Sequence, residues 1–509
     1  MKYPQLPRIL VLFVIAILLL SRSSLLAQNY NSTLEKHLDS LNFVFPFGVA
    51  SGDPTDSSVV LWTRLWLPTM DSAQVKLMIY QDSLATKFIQ GHTLNTSKTT
   101  WWNVKTTVSW PENSTMYYQF SVGQHKSPLG RTRTAPKALV PNLSFLVVSC
   151  SNYQWGYFNA YRCMATEKDI AAVIHLGDYI YEYGAADYFD KKLPNRRHLP
   201  PHEIVSESDY QTRYAQYRLD PDLAELHRLF PFISVWDDHE IANDAHATGA
   251  QNHQDSSEGN WMARKKRAQK AYFDWLPIRP DSNYKLRRSI SFGPLAQLFL
   301  ADQRLEARSE QRAPSKTPQS DEVQRKMLGY DQSTWLIESM EKSNSRWKIL
   351  GNQVIFSSYN LPPSLISKIP KNGDSWIGYP YERELLSREF NRISKDSLLI
   401  VTGDAHASFG FFTRLDNSDP KTSFAREWVS PSVTSPNLDE YLAKWKVSYL
   451  RAQLKKKKLN PHLQYINLID HGYLRIDLSQ DNILGTWKMI RTRHKPNPEL
   501  KREFHISYH

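Results

Sequence analysis

The 509 residues are 41% apolar and 12% aromatic, which excludes a disordered chain and can fill cores in two or three domains. Two cysteines exclude a disulfide framework, although export would permit one bridge between Cys150 and Cys163. Sixty-three basic against 51 acidic residues give a formal charge of +12, which favours anionic substrates or envelope polymers without identifying them. The densest basic run, LKKKKL around Lys455 to Lys458, reads as a solvated face, and no nucleic-acid motif accompanies it.

Lys2 and Arg8 precede the apolar run ILVLFVIAILLL, and small residues follow up to Ala27. This three-part pattern predicts a Sec-type export signal over residues 1–27, and hence a periplasmic, secreted or cell-surface protein. An uncleaved anchor is the alternative, although the run is short for a membrane span. No second long apolar stretch follows, so no other span is expected.

From about residue 40 to 140, short runs such as VVLWTRLWL, VKLMIYQD and YYQFSVG are separated by Pro, Gly, Asn, Asp and Ser clusters. That punctuation predicts a small N-terminal β-sandwich. Over 141–509 the rhythm changes. Apolar runs FLVVSC, AAVIHLGD, FISVWDD, AQLFLAD, WKILGNQVIF and LLIVTGD alternate with helical stretches such as YQTRYAQYRL and YERELLSREFNRI. The alternation predicts a layered α/β domain with central sheets flanked by helices.

Most of these runs end on a residue able to bind metal: Cys150, Asp178, Asp238, Asp302, and the pair Asp404 and His406. Ligands of open α/β sheets bind beyond the carboxyl ends of the strands, so these groups are expected on one rim. Aspartates offer hard oxygens, histidine a borderline nitrogen, and a thiolate or phenolate needs a strongly polarising metal, so the mixture implies more than one ion. In GDYIYEYG, Gly177 permits close backbone approach and Asp178 can bridge two ions. Tyr181 faces the same centre if a helix starts there. Taken singly, Tyr181 also reads as a packing aromatic and Cys150 as a buried apolar filler.

The ordered motifs SFLVVSCSN, HLGDYIYEYG, VWDDHEIAND, LGNQVIFSS and VTGDAHASF resemble those of the PhoD-type alkaline phosphatases and phosphodiesterases, a branch of the calcineurin-like metallophosphoesterases. FPFGVASGDPTDSSVVLWTRL resembles the family's leading β-domain. The resemblance implies a ferric ion (Fe3+) held by Cys150, Asp178, Tyr181 and an acid or histidine of GDAHAS, Asp404 or His406, with calcium (Ca2+) at neighbouring acids. It implies Asp238 as a metal ligand and His239 as the catalytic histidine facing the phosphate. Asp237 and Glu240 would be supporting or solvent-facing groups. Asn243 touches metal or phosphate, or else makes a local cap or turn. Arg304, in ADQRLEAR, is carried over as a weak substrate-binding candidate. The usual Asp-x-His motif of the superfamily is absent, and no Arg-Arg pair precedes the apolar run.

The implied activity is metal-activated hydroxide attack on small-molecule or polymer phosphate esters, monoester or diester, by a protein expected to be a monomer. The alternative is an exported binding protein with an inactive phosphatase-like domain.

Overall fold

A computed structural model describes residues 33–312, 322–362, 373–394 and 396–508. The export signal expected over residues 1–27 lies outside them. No helix among the described residues is long and apolar enough to cross a membrane.

Two mixed sheets form the centre. In the first, Leu143–Val148, Ile170–His175, Pro231–Ser234 and Val49–Gly52 run parallel, flanked by antiparallel strands on both sides. In the second, Ala296–Leu300, Trp347–Asn352, Leu398–Thr402 and Ser423–Val429 are parallel. Six of these strands are buried along their whole length, Val49–Gly52, Leu143–Val148, Ile170–His175, Pro231–Ser234, Trp347–Asn352 and Leu398–Thr402. This is why their sequences are nearly continuous apolar runs rather than alternating ones. The sheets share one core, in which Phe145, Val147 and Ile174 of the first pack with Leu298, Ile349 and Val401 of the second. Helices cover the outer faces: Glu207–Arg218, Pro221–Leu229 and Trp261–Trp275 on one side, Gly329–Glu341 and Pro380–Ser394 on the other.

Local chemistry fixes the helix ends. Ser206 and Asp209 form a reciprocal capping box at Glu207–Arg218, and Asp220 accepts from the backbone N–H of Asp222 and Leu223 ahead of Pro221.

The N-terminal region is a β-sandwich in which Ser72–Tyr80 and Thr115–Val122 alternate because one face meets solvent, whereas Ser58–Arg64 is buried on both faces. Its core joins Val49, Val59 and Leu61 to Val75, Leu77 and Phe120. One of its two sheets is continuous with the first central sheet, because Val49–Gly52 pairs in parallel with Pro231–Ser234. The sandwich is thereby built into the strand that leads to Asp237 and Asp238.

Gly52 lies on this seam. A Cβ there would stand 2.5 Å from the Phe232 carbonyl oxygen and 2.4 Å from that of Pro277. Gly52→Ala should destabilise the protein by about 1–3 kcal/mol in urea unfolding. Gly91→Ala, whose added methyl meets nothing nearer than 3.5 Å, should cost clearly less.

Candidate active site

The strand ends turn sharply, and the turning residues are the chemical ones. Cys150, Asp178, Asp404 and His406 all have left-handed backbones, with φ of 62°, 55°, 58° and 44°. Such a conformation costs a non-glycine residue about 1–2 kcal/mol and persists only where its surroundings fix it. The fixing bonds are visible. Cys150 N–H donates to the Gly177 carbonyl at 3.2 Å and Ser151 N–H to that of Asp178 at 2.9 Å. The buried Glu240 carboxylate accepts from the backbone N–H of Asp178 (3.0 Å), Tyr179 (2.6 Å) and Asp237 (2.9 Å), tying two strand ends together. Gly177, at φ 101°, allows that approach, since a Cβ would come within 2.4 Å of the Asp237 backbone nitrogen. Burial lifts the Glu240 carboxyl to about 8. It supports the site from within and does not face solvent.

Two groups of donors result, each with its ligand atoms within 4.8 Å of one another: Cys150, Asp178 and His406, and Asp178, Asp238 and His239. Asp178 belongs to both. No helix follows Gly177; the chain from Asp178 to Gly184 is irregular. Tyr181 still reaches the centre, because Arg213 donates to its backbone carbonyl from the helix Glu207–Arg218. Its hydroxyl donates to Asp178 Oδ2 at 2.8 Å, lies 3.4 Å from His406 Nε2 and accepts from Ser435 Oγ at 2.6 Å. His406 Nδ1–H donates to the Pro436 carbonyl at 3.1 Å, which leaves Nε2 as the lone-pair nitrogen. Asp404 is half-buried at the same rim but outside both donor groups.

The electrostatics fit a cation. Asp178 Oδ1 is buried without a hydrogen-bond partner, the atom a bridging carboxylate would offer a second ion. Burial, and then neighbouring carboxylates, push the Cys150 thiol and the Asp178 and Asp404 carboxyls well above their usual ranges. A cation would reverse those shifts.

His239 lies over the Tyr181 ring, with centroids 4.2 Å apart, and its Nδ1 lies 2.7 Å from Glu182 Oε2. Burial alone would lower the imidazole, but Glu182, Asp238 and Asp178 outweigh it and raise it well above its ordinary value. Glu182 also accepts from Asn243 N–H (2.8 Å) and Asn252 Nδ2 (2.9 Å). The Asn243 side chain donates to Gln251 in an exposed local bond. After His239 the chain makes a single turn, in which the Asp238 carbonyl accepts from Ile241 and Ala242. Asp238 Oδ2 accepts from Asp244 N–H at 2.6 Å.

Arg304 is fully buried. It pairs through Nε with Asp237, grips Asp374 with both terminal nitrogens at 2.6 and 2.9 Å, and stands 3.5 Å from Asp238. Burial alone would raise Asp374, but Arg304 and Arg308 hold it at about 2. Asp302 has a different role from the other strand-end acids. Its Oδ1 takes the Trp236 indole N–H and the backbone N–H of Arg304 and Leu305, shaping the loop that presents Arg304. The bridge that export would permit between the cysteines is not formed. Cys150 is beside Ser149, and Cys163 donates to the Pro498 carbonyl.

Residues 145–487 match the family described as PhoD-like phosphatase, and residues 32–136 match its N-terminal domain. The chain belongs to the PhoD-like phosphatase family. It is 34% identical over 462 residues to alkaline phosphatase D of Bacillus subtilis strain 168, covering 85% of this chain and 75% of that protein. The solved structure of PhoD superposes with a TM-score of 0.82 at 30% identity, over 92% of this chain and 90% of that one. A purple acid phosphatase, PPD1 from yellow lupin (Lupinus luteus) seeds, shares the fold at a TM-score of 0.57 and 12% identity, over 90% and 73% of the two chains. A PhoD-like phosphatase acts on phosphate esters.

Sequence reasoning passed over Glu182, Ser435, Asp374 and Arg213. Glu182 stood inside the quoted GDYIYEYG as an acid four residues from Asp178; the other three gave no local signal. Glu182→Gln keeps the shape but removes the charge under His239, so kcat should fall about 10–100-fold while bound metal, measured by elemental analysis, stays near wild type.

Proposed function

We propose that the protein is an exported, metal-dependent hydrolase of phosphate monoesters or diesters. The observation that carries the reading is Asp178, shared by two donor groups and holding a buried oxygen with no protein partner. Cys150, Asp178, Tyr181 and His406 would hold one cation. Their thiol, phenol and imidazole suit Fe3+, which is acidic enough to keep phenolate and thiolate at neutral pH. Asp178 and Asp238, with Asp404 at the rim, offer the hard oxygens that suit Ca2+. When bound, such ions supply an activated water and neutralise phosphate oxygens.

The chain's own groups do the rest. The Glu182 carboxylate takes the Nδ1–H of His239 and favours the imidazolium, whose Nε2–H would face the ester, steady the charge that develops on phosphorus oxygens and protonate the leaving alkoxide. Asp237, anchored by Arg304, holds the strand end that carries Asp238 and His239. Arg304 serves that anchoring first, with both terminal nitrogens on Asp374. Asn243 serves the loop through Gln251. The alternative of an inactive, ligand-binding domain would be marked by missing donors, whereas the described residues retain them. Export rests on the three-part pattern over residues 1–27, and a mature N-terminus at Gln28 in the mass spectrum of the secreted protein is its test. Rates on p-nitrophenyl phosphate and its bis-ester, side by side, decide between monoester and diester preference.

His239→Ala should spare the metals and cost about a hundredfold or more in rate, whereas Asp238→Ala should lower metal content and rate together. Elemental analysis beside steady-state kinetics separates the two. The identity of the first cation has its own test. The concentrated enzyme should be coloured by ligand-to-metal charge transfer, Tyr181→Phe should bleach or shift that band, and Cys150→Ser should lose iron and activity while Cys163→Ser keeps both. A colourless protein with stoichiometric iron would remove tyrosine from the ligand set.

A further inference from the structure

Between Lys444 and Lys458 the chain carries seven basic residues, Lys444, Lys446, Arg451 and Lys455 through Lys458, and no acidic one. The helix Lys444–Leu454 buries Val447, Leu450 and Leu454 against the protein. Its opposite side should then be polar, as on an ordinary surface helix. It is not. Trp445 is 70% exposed and Tyr449, one turn on, 47%, while Tyr441 and Leu442 just ahead are 60% and 37% exposed. Large apolar groups clustered in the open mark an interaction surface, and indole and phenol rings ringed by lysine are the composition that favours a membrane–water interface.

This surface adjoins the catalytic rim. Pro436 accepts from His406 Nδ1, and the Tyr441 hydroxyl hydrogen-bonds Tyr188, whose ring stacks on His239 with centroids 6.5 Å apart. The acids next to the patch do not cancel its charge. Glu440 is taken up by Arg493 at 2.5 Å, and Asp439 is half-buried.

We propose that the Tyr441–Lys458 surface docks the enzyme onto anionic lipid bilayers, with Trp445 and Tyr449 entering the headgroup region and the lysines meeting lipid phosphates. A bilayer fits this surface better than a soluble polyanion, because a polyanion would satisfy the lysines and leave Trp445, Tyr449 and Leu442 in water. For what the docking delivers, a phosphate ester at a membrane surface, the proposal rests on the hydrolase reading; the docking itself does not.

The test is flotation of the full chain with vesicles of phosphatidylcholine alone or with one third phosphatidylglycerol, beside turnover of soluble p-nitrophenyl phosphate. The N-terminal apolar run is common to every variant, so differences between variants read the patch. Wild type should bind the anionic vesicles at least about tenfold more tightly than the neutral ones, with the advantage screened by salt. Replacing Lys455 through Lys458 together by Gln should abolish that advantage while soluble turnover stays unchanged. Brominated lipid should quench part of the tryptophan fluorescence of wild type, and W445F should lose that part. Equal binding to both vesicles, an anionic preference that survives the lysine replacements, or retention by soluble polyphosphate with no vesicle binding would each overturn the proposal. Absence of turnover in the wild type, with docking intact, would instead count against the hydrolase reading.

Discussion

Everything about the rim follows from one constraint, that carboxylates brought together out of water repel each other and lose their hydration. Asp178, Asp237, Asp238, Glu240 and Asp404 converge there beside a thiol and a phenol. Left alone, such a cluster is driven toward its neutral forms or apart. The protein answers in two ways. For Asp237 it supplies an internal cation, Arg304, itself locked on Asp374. For Asp178 it supplies no arginine or lysine, only the Tyr181 hydroxyl on one oxygen and nothing on the other. Compensation by side chains stops where compensation by an ion would begin. Asp237 also keeps one buried oxygen without a partner, but Arg304 compensates its charge, and in sequence the two acids look alike.

The fold was legible where periodicity carries information. Continuous apolar runs marked the buried parallel strands, alternation marked the sandwich, and the two long helical stretches fall on Glu207–Arg218, up to its cap Leu219, and within Pro380–Ser394. The positions of candidate donors at strand ends were legible too, because Asp and His tolerate the left-handed turn that ends a strand. The continuity of the sandwich with the central sheet was not, since Val49–Gly52 pairs with a strand about 180 residues away and nothing local records that pairing. For the same reason Asp302 read as another donor. An acid that caps its own loop and one that awaits an ion look identical until the direction of the side chain is known. Tyr181 was placed at the centre by a helix that does not form; a buried arginine from a different helix brings it there instead.

Glu182 and Glu240 show how two acids within VWDDHE and GDYIYEYG divide the work of holding geometry. Glu240 accepts three backbone N–H groups and so fixes where two strand ends stand relative to each other. Glu182 accepts from an imidazole, an amide side chain and a backbone N–H, and so fixes the loop that carries His239. Both act through hydrogen bonds to charged or buried partners, the kind worth most in a low-dielectric interior and costliest to leave unmade. A chain with the same donors but without these two acids would have the ligands and lack their registry.

The origin of the donors in sequence has a consequence for assembly. Cys150, Asp178 and Asp238 follow strands of the first sheet, whereas His406 follows Leu398–Thr402 of the second. The rims of the two sheets meet where Gly403 approaches Ser149 so closely that a Cβ on the glycine would lie 2.9 Å from the serine Cβ. Neither half can therefore gather Cys150, Asp178 and His406 by itself. Because the unfolded chain holds no such site, the free energy of any ion bound there would add to the stability of the packed pair of sheets. The strained backbones at the four turning residues draw on the same source: packing and hydrogen bonds hold Cys150, Asp178, Asp404 and His406 left-handed, and an ion gripping their side chains would hold them there more firmly. Ion binding at this rim would thus form one equilibrium with sheet packing, with Asp178, common to both donor groups, at its centre.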